Sequence, residues 1–128
     1  MPIQDFRTAL AAALVLMLPM TALPAQTMPV GTFLAKADAL KKRGPLALLS
    51  SDYRTLKGEV NNSAKVLGAE QFAARKAGRK PATCMPRNIS IGTDELLDHF
   101  RSIPQAQQGL GVKIALQSFI NKKYPCPS

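Results

Sequence analysis

Two cysteines constrain this chain more than anything else in it. Cys126 lies in "KKYPCPS" at the C-terminal end, between two prolines, and Cys84 lies far upstream in "KPATCMPRN". What the pair can do depends on the compartment. The first residues, "MPIQDFRTALAAALVLMLPMTALPAQT", place Arg7 and Asp5 ahead of an almost unbroken apolar run from Thr8 to Met20, followed by small residues around "ALPA". That is the layout of an export signal, with Ala25 expected as the last residue before cleavage. The apolar stretch is about 13 residues, short of the roughly 20 that span a bilayer as a helix. No cysteine follows it, so a lipid anchor at that junction is not expected. The expected organisation is a signal peptide over 1–25, then one small domain over 26–128 in the periplasm.

In an exported protein an even pair of thiols favours a disulfide. A domain of about 100 residues buries a modest share of its surface, so a covalent staple matters. Closing a loop of about 43 residues contributes about 4 kcal/mol on the chain-entropy account. The competing uses fare worse. Zinc takes about four ligands, and His99 is the chain's one histidine, so neither a metal nor another cofactor is expected. A nucleophilic thiol would need that same His99 as its base. The expected pairing is Cys84 with Cys126.

Hydrophobic periodicity predicts helices throughout. Phe33, Leu34, Ala37 and Leu40 recur at helical spacing, with Thr32 as the expected cap. Lys41, Lys42 and Arg43 suit the negative end of the helix dipole, and Gly44-Pro45 ends the element. From Leu46 to Phe72 the apolar residues mostly fall three or four apart, predicting one long bent helix or two shorter ones up to Gly78. "ATCMPRNISIGTD" reads as a loop, with at most a short extended piece at Ile89–Ile91. Thr93 is the expected cap of a third helix, where Asp94 and Glu95 favour the positive end. Val112, Ala115, Leu116, Phe119 and Ile120 mark the face of a last helix that stops before Pro125. The fold class that follows is all-α, four to five helices, with the disulfide tying the mid-chain loop to the C-terminus.

Catalytic patterns are sparse. His99 sits in "LLDHFRS" with no serine or cysteine motif beside it, and reads as a helix-surface histidine. Asp94, Glu95 and Asp98 are explained by the helix dipole before acid–base chemistry. "QQGLGVK" has no preceding strand and is no phosphate loop. Enzymatic activity is therefore not expected. Charge is the stronger feature: removing Arg7 and Asp5 from totals of 17 basic and 8 acidic residues leaves 16 against 7. Lys41, Lys42, Arg43, Arg75, Lys76, Arg79 and Lys80 are the candidate basic patch. Export and low aromatic content count against nucleic acid. Anionic membrane or cell-wall surfaces, or an acidic protein partner, remain.

The stretch "TCMPRNISIGTDELLDHFRSIPQAQQGLGVKIALQSFINKKYPCP" resembles the C-terminal half of the Rap/Tai immunity proteins of type VI secretion. The resemblance is carried by Cys84 and Pro86 in the loop, then Leu96, Leu97 and Phe100 in the "LLDHF" helix. Pro104 in the following break, Ala115 and Leu116 in the last helix, and the ending Tyr124-Pro125-Cys126-Pro127 complete it. The resemblance implies a small helical periplasmic protein that binds and blocks a peptidoglycan amidase toxin, often as a homodimer. The alternative is a basic envelope protein that holds anionic membrane or cell-wall surfaces.

Overall fold

The stretch "VGTFLAKADALKKR" forms the first helix, α1 (Val30–Arg43), and buries Val30, Phe33, Leu34 and Leu40. The computed structural model describes residues 27–128; the expected export segment, 1–25, lies outside the described residues. Thr32 does not cap α1. The helix starts two residues earlier, after Pro29, and no side chain caps it. Its first free amides are satisfied through tertiary structure instead: Val30 N donates to Leu110 O (2.8 Å) and Gly31 N to Gln108 O (2.9 Å). A helix start needs acceptors for its unpaired N–H groups, whatever their source. Here a distant loop supplies them, and Pro29 bridges antiparallel to Gly111.

Gly44 ends α1 at φ 71°, ψ −157°, a backbone region open essentially to glycine. A 3-10 turn follows over Gly44–Leu49. Ser50 then caps α2 (Ser51–Lys76), its Oγ accepting from Tyr53 N at 3.2 Å. Of the two arrangements expected for this region, one uninterrupted helix is found. Gly58 and Gly68 cost about 1 kcal/mol each in a helix, offset by a long packed stripe through Leu56, Ser63, Leu67, Gln71 and Ala74. Phe72 is 68% exposed; one residue past Gln71, it points about 100° away from that stripe.

The coil after α2 leads to α3 (Thr93–Ser102), which buries Leu96 and Phe100. Its N-cap is Gly92, and Thr93 is already helical. A short 3-10 turn at Gln105–Gln107 precedes α4 (Val112–Lys123). That helix buries Val112, Ala115, Leu116, Phe119 and Ile120, the expected face. Residues 89–91 are irregular, and no strand occurs among the described residues. The domain is thus a four-helix, all-α fold. Its centre is Phe100, with no exposed surface, meeting Phe33 edge to face at 5.4 Å between ring centroids.

Cys84 and Cys126 are joined, with Cα atoms 5.1 Å apart. The bond ties the coil after α2 to the chain just beyond α4. The coil is also hydrogen-bonded along its length. Gln117 Nε2 donates to Thr83 Oγ1 (3.0 Å), and Asn121 Nδ2 donates to Ala82 O (3.1 Å).

Candidate functional site

The leucines of "GPLALLS" occupy positions that α-helical spacing would turn inward, but the 3-10 turn redirects them. With about three residues per turn, residues i and i+3 eclipse, so Leu46 and Leu49 share one side. They are 76% and 81% exposed, Leu48 is 60% exposed, and Ala47 is buried. Ser50 locks this arrangement: its Oγ donates to Ala47 O at 2.6 Å, and its amide donates to the same oxygen at 3.0 Å. The result is an apolar knuckle at the junction of α1 and α2.

The knuckle opens onto a groove of about 640 Å³. Phe33, Ala37 and Leu40 of α1 form one side, and Tyr53, Leu56 and Val60 of α2 another. The coil contributes Ile89 and Ile91, and α3 contributes Leu96 and Leu97. Lys41, Lys57 and Arg101 stand at its margins with Asp94. Arg101 is engaged by Asp38 (2.9 Å) and Asp98 (3.7 Å). Lys41 and Lys57 make no ion pair among the described residues. Lys57 belongs to an exposed row of α2, with Arg54, Asn61 and Lys65. Steps of three and four keep a row on one helix face. The spacing Arg54, Lys57, Asn61, Lys65 is the sequence signal for this row, fainter than the denser basic clusters; of the four, Lys57 and Asn61 line the groove.

Those clusters, the candidate patch, fall into two groups. Lys41, Lys42 and Arg43 close α1 beside the start of α2, where Arg43 lies 3.9 Å from Asp52. Arg75 and Lys76 end α2, and Arg79 and Lys80 follow it. The 26 residues of α2 span about 39 Å. All seven side chains are exposed, but the structure does not bring them onto one patch, and only Lys41 reaches the groove.

His99 lines a second hollow of about 440 Å³ between α3 and α4, with Glu95, Asp98, Phe119 and Lys122 around it. Its ring stands edge-on to Phe119 at 5.4 Å, and its buried Nε2 has no hydrogen-bond partner. Burial, and secondarily the Lys122 ammonium, hold its pKa below the usual histidine value. Lys123 donates to Glu95 at 2.8 Å, and this hydrogen bond raises the lysine's pKa. Glu95 and Asp98 are thus engaged with cations, as helix-surface acids commonly are. Cys84 and Cys126 are spent in the disulfide. Among the described residues, no group of three or more His, Cys, Asp or Glu is placed to hold a metal. No helix there is long and apolar enough to cross a membrane.

No protein-family model, no curated protein and no solved structure matches this chain.

Proposed function

We propose that this chain is an exported binding protein of the immunity type, without catalytic activity of its own. It would dock on a cell-wall-degrading enzyme of the peptidoglycan amidase class and block it by occlusion. One observation carries the reading: an apolar groove with exposed Leu48 in its lining, beside a turn that also exposes Leu46 and Leu49, on a domain this small. Contiguous exposed apolar surface is costly in water and marks interaction sites. The resemblance of residues 83–127 to Rap/Tai immunity proteins supplies the class of partner. The apolar run over 8–20 supplies the compartment, where a disulfide forms and cell wall is the substrate.

The competing reading, a basic envelope protein holding anionic surfaces, rests on the net charge of +9. The division of the dense cations between two ends of α2 weakens it, because an anionic surface is best met by one concentrated face. A pull-down decides between the two. The oxidised protein is the bait in envelope extract from its own organism, washed over a salt series. The immunity reading expects a single cell-wall hydrolase retained at high salt and inactive on peptidoglycan while bound. Lipids, glycans or mixed acidic proteins released by modest salt would replace that reading with the envelope-surface one.

A further inference from the structure

We infer that the groove receives an acidic amphipathic helix of the protein partner, its apolar side on α1 and α2 and its carboxylates along Arg54, Lys57 and Lys65. This rests on the binding-protein reading and names the surface and the partner's chemistry.

Size comes first. The stretch of α2 lining the groove runs from Tyr53 to Ala64, about 16 Å, or three helical turns. A helix about 10 Å across and that long displaces roughly 1,300 Å³. The groove, about 640 Å³, is smaller than that and so can take one side of such a helix, not the whole. Laying such a face into a groove through residues three to four apart is a recurrent mode of recognition. Leu48, 60% exposed, adds apolar surface to the lining at the α1–α2 junction.

Charge then selects the occupant. Arg54, Lys57 and Lys65 are exposed on one side of α2, strung over about 16 Å. They make no ion pair among the described residues. The acids of α2 are used elsewhere: Asp52 faces Lys36 (3.4 Å), Glu59 accepts from Met28 N (2.7 Å), and Glu70 pairs with Lys113. A row of cations at helical pitch matches carboxylates repeated along a second helix. A single-chain anionic lipid carries its charge at one end and would leave most of the row unmatched.

The test uses a stapled 14-residue helix of roughly three to four turns, with leucines at three-to-four spacing and flanking glutamates. Its controls are the same helix with lysines for the glutamates, and phosphatidylglycerol vesicles. Binding is read by fluorescence anisotropy and located by amide shifts, with wild type and with the doubly reversed Arg54→Glu, Lys57→Glu protein. Both positions are exposed, and circular dichroism verifies that the variant is folded. The expected result is binding of the acidic helix at the groove, weakened about tenfold or more by the reversal. The lysine helix should then prefer the reversed protein. Equal binding of both helices to wild type, shifts away from the groove, or binding to vesicles alone would overturn the inference. Its failure is separable from that of the binding-protein reading. A hydrolase captured equally by wild type and reversed protein removes the groove assignment alone. Capture by neither removes the immunity reading, while the helix titration still decides the groove.

Discussion

Gln71 grips the backbone of Met85 from both sides. Its Oε1 accepts from Met85 N at 2.7 Å, and its Nε2 donates to Met85 O at 3.0 Å. One buried side chain of α2 thus does for the coil what a neighbouring strand would do in a sheet. Met85 is next to Cys84, so a covalent bond and a two-point hydrogen bond act on adjacent residues. The coil carrying Ile89 and Ile91 into the groove is placed by these bonds, and not by any regular structure of its own.

Gln71→Ala removes both bonds and leaves the Met85 amide and carbonyl without their partner. Buried polar groups stripped of a partner cost about 1–3 kcal/mol each. With two part-buried groups losing their partner, the unfolding free energy from a urea titration should fall by about 2 kcal/mol or more, and the Met85 amide should exchange faster than those of α4. An unchanged unfolding free energy would show that the disulfide and the bonds from Gln117 and Asn121 position the coil without Gln71.

Reducing Cys84–Cys126, or replacing both residues with serine, frees a loop whose ends are separated by 42 positions. The chain-entropy account puts the loss at about 4 kcal/mol, a large part of the 5–15 kcal/mol of a typical domain. Paired urea titrations with and without reductant measure it. A loss under about 1 kcal/mol would mean that the side-chain bonds of Gln71, Gln117 and Asn121 already restrain the coil.

Gly44→Ala puts a Cβ where φ is 71° and ψ −157°. No atom obstructs that Cβ, so the expected cost of about 1–3 kcal/mol is backbone strain alone. The strain falls on the hinge between α1 and the leucine knuckle. Thermal unfolding gives its size, and amide shifts confined to residues around 44–50 would locate it. A fully wild-type Tm would contradict the backbone assignment.

His99 makes stability depend on pH in a definite direction. Its folded pKa lies below the usual histidine value of 6.5, from burial first and Lys122 second. The folded state therefore favours the neutral ring. This contribution is fully present above pH 6.5 and is lost as pH falls through the folded pKa. Glu95, Asp98, Lys122 and Lys123 are the charged groups around the ring. Between pH 7 and pH 5 the wild type should lose stability faster than His99→Gln. An NMR titration placing His99 above 6.5 would reverse the sign, and one placing it at 6.5 would abolish the effect.

Some expectations failed for a reason shared by several residues. Thr32 and Thr93 had the chemistry of helix caps, yet the helices begin at Val30 and Thr93 after Pro29 and Gly92. A cap residue only offers an acceptor; the carbonyls of Leu110 and Gln108 did the work for α1 from across the fold. Leu46 and Leu49 kept helical spacing in sequence and still face outward, and Phe72, five residues past Leu67, falls off the buried stripe. Spacing names a face only once the helix type and its packing partner are known. The seven clustered cations share the same limit, since the two clusters lie near opposite ends of a long helix.

What was legible in the residues alone is local or covalent. Apolar positions three to four apart specify helices, because burial of one face drives their formation. Gly44 and Gly78, both at positive φ, stop them. Two cysteines in a small chain with an export-like start specify a disulfide. Docking decided the rest. Which leucines face water, which cations line the groove, and whether a coil becomes one of its walls all depend on contacts between residues distant in sequence. Those contacts, such as Gln71 with Met85 and Val30 with Leu110, obey no fixed spacing, and so exist only once the four helices are packed.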